Sequence, residues 1–394
     1  MQKIIIPLIG ILILFLASPV WAGESLLKTL EKKGVISEEE YSYILADQLK
    51  ENKSLLPKAI EGLSIGGAAF LDYSNGKENN GIEYNKFALT RGYINIKKDI
   101  TPWLKARITP DVTQITDSGN SQRGDLELRM KYYYADFLLS DSGFFTDNVL
   151  RAGLSPIPWI DFLENINIYR MQGAMFQERF NNINSADLGI SLIGNFGDKL
   201  SKDSQEAVGY STPYSGKYGG YYIGIYNGSG YKAVEENSDK VIEGRITFRP
   251  MPNLLPGLQL SYFGLSGKGN KNTSPDWQTQ AGLLSFQNKH IVFTGEYVEA
   301  KGNQNGDNEI DKKGYSVFGE FKIPAHNNAA VMARYDFWDQ DIYTNNDEQS
   351  VIIGGFSYRL YANNIILAAY ELRHYYDPSK MDDQKEQLIY QLSF

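Results

Sequence analysis

From Leu63 to the end of the chain, apolar and polar residues alternate with a period of two. The clearest stretch is 125–134, which has one mostly apolar face and one mostly charged face. The apolar face carries Leu126, Leu128, Met130, Tyr132 and Tyr134, and the other face carries Glu127, Arg129, Lys131 and Tyr133. The same alternation recurs at 242–249 and 314–323. Because successive side chains of a β-strand point to opposite faces, the pattern predicts strands that are apolar on one side and polar on the other.

Turn signals divide this region into about sixteen strands. The predicted strands are 63–74, 84–97, 102–113, 125–139, 148–154, 186–197, 218–227, 240–249, 257–266, 277–287, 289–299, 313–323, 328–339, 349–360, 364–373 and 386–394. Short connections alternate along the chain with longer polar ones, which is typical of an antiparallel transmembrane β-barrel. Segment 198–217 is about twenty residues long where a short turn is expected. It is either an unusual turn or an extra hairpin, which would raise the number of strands to eighteen.

Both ends of the chain carry signals of export and assembly. Lys3 and the apolar run 4–16 precede Ala22, which predicts a secretory signal peptide over 1–22. The alternative is a helical anchor, but that run is shorter than the ~20 residues that span a bilayer. At the other end, apolar residues stand at every second position back from Phe394. This ending resembles the signature that the barrel-insertion machinery reads, and it predicts a bacterial outer-membrane protein with a periplasmic N-terminus.

The segment before the alternating region has a different period. Within 24–50, apolar residues recur at helical spacing, and Gly34 separates two such runs. Ser37 and Glu40 have the spacing of a capping box at the start of the second run. We predict a periplasmic helical segment with its linker at 23–60, followed by the barrel at 61–394. The role expected for this segment is structural, as a spacer, the edge of a plug or a cell-wall contact.

The amino-acid composition excludes several kinds of covalent link and metal site. No cysteine occurs in the 394 residues, which excludes disulfides, thiolate metal sites and haem attached through Cys-x-x-Cys-His. The 27 tyrosines and 37 glycines suit the aromatic girdles and curved strands of a membrane barrel. A soluble acidic β-protein fits these totals and the formal net charge of −8 as well. The alternation of residues, and not the composition, therefore supports the barrel.

Charged residues within the strands are expected to face the lumen, because a charge on the lipid face costs about 2–4 kcal/mol near the bilayer midplane. The expected inward basic residues are Lys105, Arg107, Arg129, Lys131, Arg151, Arg245, Arg249, Lys322, Arg334, Arg359 and Arg373. The expected inward acids are Asp111, Glu127, Glu243, Glu296, Glu320, Asp336 and Glu371.

These eleven cations against seven acids, in a chain that is acidic overall, predict a modest preference for anions. The alternative is that many of the charges pair across strands as salt bridges and give little selectivity. Arg91 lies in strand 84–97, whose phase is ambiguous, so it is a pore-lining candidate that stands outside the count.

The longest stretch without a pattern lies at 155–185, between the fifth and sixth predicted strands. Its apolar residues, such as Ile160 and Phe162, would be exposed unless the stretch folds against the barrel wall. It is also the third external loop, which in sixteen-stranded porins folds inward and narrows the pore. We therefore predict a constriction loop. Its candidate residues are Trp159, Asp161, Glu164, Arg170, Glu178 and Arg179.

Four stretches resemble the phosphate-selective porin O/P family of outer-membrane channels. They are LEKKGVISEEE at 30–40, FALTRGY at 87–93, RAGLSPIP at 151–158 with FQER at 176–179 and the later Gly189 and Gly194, and YIGIYNG at 222–228. The resemblance implies a sixteen-stranded, trimeric anion channel with an arginine ladder and lysines at its constriction. The sequence departs from the family at Ser155, where a lysine usually precedes the proline, and its constriction loop has no dense lysine cluster. Phosphate selectivity therefore does not follow from the resemblance.

The sequence predicts a porin for small anionic or neutral solutes, without enzymatic activity, cofactor or metal. The three histidines, His290, His326 and His374, form no Ser–His–acid pattern, and the acids of 303–311 lack the spacing of a calcium loop. The expected partners are outer-membrane lipid, lipopolysaccharide, the insertion machinery and two further copies of the chain, but no nucleic acid. The alternative function is a barrel sleeve around a periplasmic multihaem cytochrome, whose haems this cysteine-free chain could not itself attach.

Overall fold

The computed structural model describes residues 60–115, 119–209, 214–324, 326 and 328–394, together with Ser37 and Glu40. The chain divides into two units, 1–63 and 64–394. In the first unit, Ser37 Oγ accepts a hydrogen bond from the Glu40 N–H at 3.1 Å, and the Glu40 carboxylate accepts one from the Ser37 N–H at 2.8 Å. These are the two reciprocal bonds of a capping box. The predicted signal peptide and the rest of the predicted helices at 24–50 lie outside the described residues.

The second unit is a closed barrel of sixteen antiparallel strands in chain order, which confirms the predicted fold class. The strands are β1 Leu63–Lys77, β2 Glu83–Thr101, β3 Leu104–Gln114, β4 Leu126–Leu138, β5 Phe145–Pro156, β6 Ala186–Phe196, β7 Gly219–Tyr226, β8 Val241–Phe248, β9 Leu258–Lys268, β10 Asp276–Gln287, β11 Ile291–Lys301, β12 Asp311–Lys322, β13 Ala329–Asp339, β14 Gln349–Tyr361, β15 Asn364–Tyr375 and β16 Asp383–Ser393. Each predicted strand has its counterpart, in order.

The described connections contain three helices: α1 Pro158–Ile166, α2 Phe176–Arg179 and α3 Lys202–Val208. The connection between β6 and β7 contains α3 and a single bridge from Lys199 to Gly216, not a further pair of strands, in its described residues. The eighteen-strand alternative is therefore wrong. Among the described residues, no helix combines the length and the apolar character needed to cross a membrane.

Closure of the barrel joins the first strand to the last. β1 pairs with β16 from Ala68 opposite Ser393 to Lys77 opposite Gln384. Beyond this ladder, the N–H of Gly67 donates to the carbonyl of Phe394 at 3.0 Å. A Cβ at Gly67 would lie 2.6 Å from the Phe394 ring, so glycine leaves room for the ring to lie across the first strand. Closure leaves no strand edge unpaired, which is the condition for a sheet in lipid.

The barrel carries apolar side chains outside, and its inner face carries polar side chains together with buried apolar ones such as Val292, Phe318 and Val351. The exposed outward residues include Leu71, Ile94, Leu128, Ile190, Ile223, Phe248, Tyr262, Phe293, Val317, Ile352 and Leu388. Buried inward residues on the same strands include Asp72, Asp111, Ser191, Glu243, Ser261, Thr294, Ser316 and Gln387. This arrangement inverts that of a soluble protein and matches a barrel surrounded by lipid. Most of the long connections lie at one end, called the loop end. The first residues of β1, Phe394, most of the short turns and the long β6–β7 connection lie at the other, the turn end.

A bulge in β4 corrects the predicted faces of 125–134. The register with β3 passes from Thr109 opposite Tyr132 to Pro110 opposite Met130, so Lys131 is the extra residue. A proline has no N–H to donate to the ladder, which explains a bulge at this point. Tyr132 and Tyr134 therefore face inward, under the guanidinium groups of Arg107 and Arg151 at 4.8 and 4.1 Å from their ring centroids. The prediction that these two tyrosines share the outer face with Leu128 is wrong.

The neighbouring Tyr133 is 60 % exposed and lies on the outer wall. A fluorophore on Tyr133→Cys, in this cysteine-free chain, should be quenched by brominated lipid in vesicles. The same fluorophore on Tyr134→Cys should escape quenching, and Leu128→Cys serves as the positive control. Quenching at position 134 but not at 133 would show that Tyr134 faces the lipid and that β4 has no bulge.

Candidate functional site

Residues 157–185, between β5 and β6, fold into the barrel; we call them the inserted segment. The prediction began this loop at 155, but Ser155 and Pro156 belong to β5. Pro158 occupies the first turn of α1, where its missing N–H costs nothing. The side chains of Ile160 and Phe162 are at most 1 % exposed, as expected for a loop that folds against the wall.

Carboxylates on β11 and β12 hold one part of the inserted segment. Glu296 Oε1 accepts hydrogen bonds from Trp159 Nε1 at 2.8 Å and from Gln177 Nε2 at 2.9 Å. Glu320 Oε1 accepts one from the Tyr169 hydroxyl at 2.8 Å. Both glutamates are only 5 % exposed, so the segment covers them while satisfying their hydrogen bonds.

Carboxylates on β13 and β15 hold a second part. Arg179 Nη1 donates to Glu371 Oε1 at 2.8 Å, and Arg179 Nε lies 3.8 Å from Asp336 Oδ2. Gln172 Nε2 donates to the other oxygen of Glu371 at 2.6 Å. On the same wall, Arg334 pairs with Asp336 at 2.7 Å and donates to the carbonyl of Ala174 at 3.0 Å. The inserted segment thus lies against the β11–β15 wall and covers four of its acids.

Aromatic packing reinforces these polar contacts. The Trp159 ring stacks on Phe263 of β9 with centroids 5.3 Å apart. Phe176 and Phe180 both pack against Trp338 of β13 at 5.5 Å. Such pairs add about 0.5–1.5 kcal/mol each to the burial of their rings. The segment is therefore packed like a core and is not a loop lying loosely in the lumen.

Most of the predicted charges of this loop are paired. Arg170 binds Glu164 at 2.7 Å and Glu178 at 2.8 Å. Burial alone would raise the pKa of Glu178, but Arg170 and the more distant Lys131 and Arg91 lower it below its usual range. Glu178 is therefore an anion at neutral pH and offsets part of the positive charge around it.

Asp161, the remaining predicted charge of α1, accepts a hydrogen bond from the Tyr214 hydroxyl. Tyr214 belongs to the long β6–β7 connection at the turn end. Arg245 lies over the rings of Phe162 and Tyr214, at 4.3 and 4.7 Å, and donates to the carbonyl of Pro158 at 3.2 Å. The unusually long connection thus reaches α1 and helps to hold it in place.

On the other side of the barrel, the inward face of β2–β5 carries basic residues that we call the cationic wall: Arg91, Arg107, Arg129, Lys131 and Arg151. Arg91 and Arg129 share one carboxylate, Asp111, at 3.7 and 2.8 Å. Arg151 pairs with Asp136 at 2.7 Å.

The two other members of the cationic wall have no acidic partner at ion-pair distance in the described part of the chain. Arg107 donates to Asn95 at 2.8 Å. Lys131 Nζ lies over the rings of Tyr93 and Tyr132, 4.8 and 5.3 Å from their centroids. Aromatic faces attract cations without neutralising them, so the cationic wall keeps an excess of positive charge.

The other predicted pore-lining cations have separate surroundings. Arg249 is fully buried and donates to Gln259 at 3.2 Å. Lys322 lies 3.8 Å from Glu320, and Arg373 lies over the Phe180 ring at 5.8 Å. At the turn end, Lys105 binds Asp99 at 3.5 Å, and Arg359 donates to the carbonyl of Ala362 at 2.8 Å. Arg245, Arg249 and Arg334 serve packing, so the expectation that all inward cations face one open lumen is not supported for these three.

Sequence reasoning missed several inward charges, among them Asp72, Asp136 and Lys385. Asp136 follows the β4 bulge, so its phase could not be read from simple alternation. A shift of phase also explains the ambiguity of β2. Tyr84, Lys86 and Ala88 line an open cavity of about 720 Å³ at the loop end, whereas Arg91 and Tyr93 face inward further along. The alternation therefore changes by one residue between 88 and 91.

Comparisons with known proteins match the fold alone. No protein-family model matches the chain, and no curated protein does. Among solved structures, the anion-selective porin from Comamonas acidovorans is similar, with a TM-score of 0.58 and 13% identity over 84% of this chain and 99% of that one. Salmonella typhi OmpF in complex with daunomycin has a TM-score of 0.57 and 9% identity, over 84% of this chain and 97% of that one. The outer-membrane channel DcaP of Acinetobacter baumannii has a TM-score of 0.52 and 11% identity, over 84% of this chain and 97% of that one. The barrel therefore has the fold of outer-membrane porins.

The contact between Arg179 and Glu371 should contribute measurably to stability, because both side chains are at most 10 % exposed. Arg179→Met leaves the Glu371 carboxylate short of a partner and should cost about 3 kcal/mol of unfolding free energy. Urea titration in lipid vesicles, followed by tryptophan fluorescence, measures this change. Lys202→Met on exposed α3 removes the same charge elsewhere and should stay within about 0.5 kcal/mol of the unmodified protein. Equal effects of the two substitutions would refute the anchoring role of Arg179.

Proposed function

We propose that the chain is an outer-membrane porin through which small hydrophilic solutes diffuse passively, with a preference for anions. The apolar outer wall, the polar interior and the shared fold of outer-membrane porins support the location and the class of function. The long connections at the loop end support an orientation with the turn end in the periplasm, and we propose that the N-terminus is periplasmic as well. The preference for anions rests on how the inserted segment distributes the charges.

The main support for this preference is that the inserted segment covers acidic residues of the inner wall but leaves the cationic wall uncovered. Four of the seven predicted inward acids bind it or lie against it: Glu296, Glu320, Asp336 and Glu371. Their side chains are at most 10 % exposed, whereas those of Arg91 and Arg129 are 20 % and 26 % exposed. No described residue of the segment forms an ion pair with either arginine. A solute between the segment and the cationic wall therefore meets more positive than negative charge.

The alternative functions find less support. A sleeve around a cytochrome needs a wide lumen, and the inserted segment occupies much of this one. For catalysis, His374 Nδ1 lies 2.8 Å from Asp382 Oδ1, and Ser350 is opposite His374 in the strand pair. Ser350 is only 7 % exposed, and no hydrogen bond in the described part of the chain joins its hydroxyl to the imidazole. We infer transport without enzymatic activity, cofactor or metal.

We further propose that the protein forms a homotrimer among outer-membrane lipid and lipopolysaccharide, and that the insertion machinery recognises Phe394. OmpT of Vibrio cholerae, solved in a trimer form, shares the fold with a TM-score of 0.51 and 10% identity over 84% of this chain and 100% of that chain. The exposed Phe394 ring, anchored at the closure of the barrel, is available for recognition. Sedimentation equilibrium in detergent tests the trimer: a monomer mass at every concentration would contradict it.

Ion selectivity tests the proposed function directly. In planar bilayers with a KCl gradient, the purified protein should form pores. Their reversal potential should have the same sign as the equilibrium potential of chloride. Arg91→Gln or Arg129→Gln, taken singly so that Asp111 keeps one arginine, should lower the chloride-to-potassium permeability ratio. A unit charge about 8 Å away in water contributes about 0.5 kcal/mol, so the expected change is roughly twofold.

Arg123→Gln, in the exposed β3–β4 loop, is the matched control and should leave that ratio unchanged. A cation-selective reversal potential for the unmodified protein would overturn the anion preference. Absence of any pore from a protein that has folded by the heat-modifiability test would overturn the porin itself.

A further inference from the structure

The loop between β7 and β8 turns into the barrel directly after β7. Gly228, Ser229 and Gly230 are buried, and both glycines have positive φ, at 100° and 73°. The N–H of Gly228 donates to Asp187 Oδ2 at 2.8 Å. A Cβ at Gly230 would lie 2.7 Å from Asn184 Nδ2. The turn is therefore fixed by β6 and by the end of the inserted segment, and glycine is needed at both positions.

Tyr231 follows this turn and reaches the cationic wall. The guanidinium carbon of Arg129 lies 5.4 Å from its ring centroid, and Nζ of Lys232 lies 5.1 Å from it. The Tyr231 hydroxyl oxygen is buried and has no hydrogen-bond partner in the described part of the chain. The same holds for Nη1 of Arg91. The phenol oxygen is thus enclosed beside cations, and it interacts electrostatically with the Arg91 guanidinium.

Four cations act on Tyr231: Arg91 on β2, Arg129 and Lys131 on β4, and Lys232 on its own loop. The acids beside these cations are Asp111 on β3, which pairs with Arg91, and Glu178 on the inserted segment, which pairs with Arg170. Burial alone would raise the pKa of Tyr231, but Lys131, Lys232, Arg91 and Arg129 bring it below the usual value for tyrosine. The cations around the phenol therefore favour its negatively charged form.

We propose that Tyr231 is a selectivity-determining residue of the proposed channel, standing at the cationic wall in the place that a passing anion would take. This inference rests on the proposed function. With its phenol neutral, Tyr231 narrows the passage and leaves the full positive charge of the wall for solutes. With its phenol ionised, it places a negative charge among the cations and reduces their attraction for anions.

The pH dependence of selectivity tests this role. As the pH is raised from 7, the chloride-to-potassium permeability ratio of the unmodified protein should fall by about twofold, with a midpoint below the ordinary tyrosine pKa of ~10. Tyr231→Phe keeps the ring but cannot ionise, so its ratio should stay constant over the same range. Tyr343→Phe removes a hydroxyl from a tyrosine that is 80 % exposed in the β13–β14 loop, and it should behave like the unmodified protein. Because lysine titration is common to all three proteins, the comparison isolates Tyr231.

A second measurement does not depend on conduction. The ultraviolet absorbance of tyrosinate, taken as the difference between the unmodified protein and Tyr231→Phe, should show one tyrosine that ionises below the ordinary value. A permeability ratio that falls equally in Tyr231→Phe, or a difference titration at the ordinary value, would overturn the proposal. Either result would be compatible with the proposed porin function. The absence of pores at pH 7 would contradict that function instead.

Discussion

The pairing of β1 with β16 is the constraint on which the rest of the structure depends. A sheet in lipid has no water to satisfy its edge, so every backbone donor and acceptor must find a partner within the barrel. In this chain the ladder runs from Ala68 to Lys77 on the first strand, and Gly67 beyond it leaves room for the terminal Phe394 ring. Once sixteen strands close, the apolar faces point outward and the polar faces are gathered in one interior. The chemistry of that interior is then decided by what fills it.

The inserted segment decides which interior charges a solute meets. A barrel of this size could expose acids and cations alike, and counting them by sign gives only a small excess of cations. The segment changes this balance because its donors, such as Trp159, Tyr169 and Arg179, bind the carboxylates of β11–β15. Covered carboxylates still hold the segment but contribute less to the field in the passage. The same contacts therefore provide stability and the charge preference of the proposed channel.

The fold could be predicted from sequence because its signals are local and repeated: strand period, turn spacing and the ending at Phe394. The site could be predicted only in part, because a single bulge or shift of phase reverses every face beyond it. Lys131 in β4 is such a case, and it misplaced Tyr132 and Tyr134. The pairing of charges depends on distances between strands remote in sequence and has no local signature. Tyr231 was missed for the same reason, since nothing in its own loop indicates the arginines that it approaches.

The most direct test of the account replaces residues 159–183 with a short Gly/Ser linker and measures conductance and reversal potential in planar bilayers. The deletion uncovers Glu296, Glu320, Asp336 and Glu371 and leaves the cationic wall intact. We expect larger conductance steps and a reversal potential that shifts toward that of potassium. Larger steps with an unchanged anion preference would show that the segment narrows the pore without setting its selectivity, which would contradict the role proposed for it.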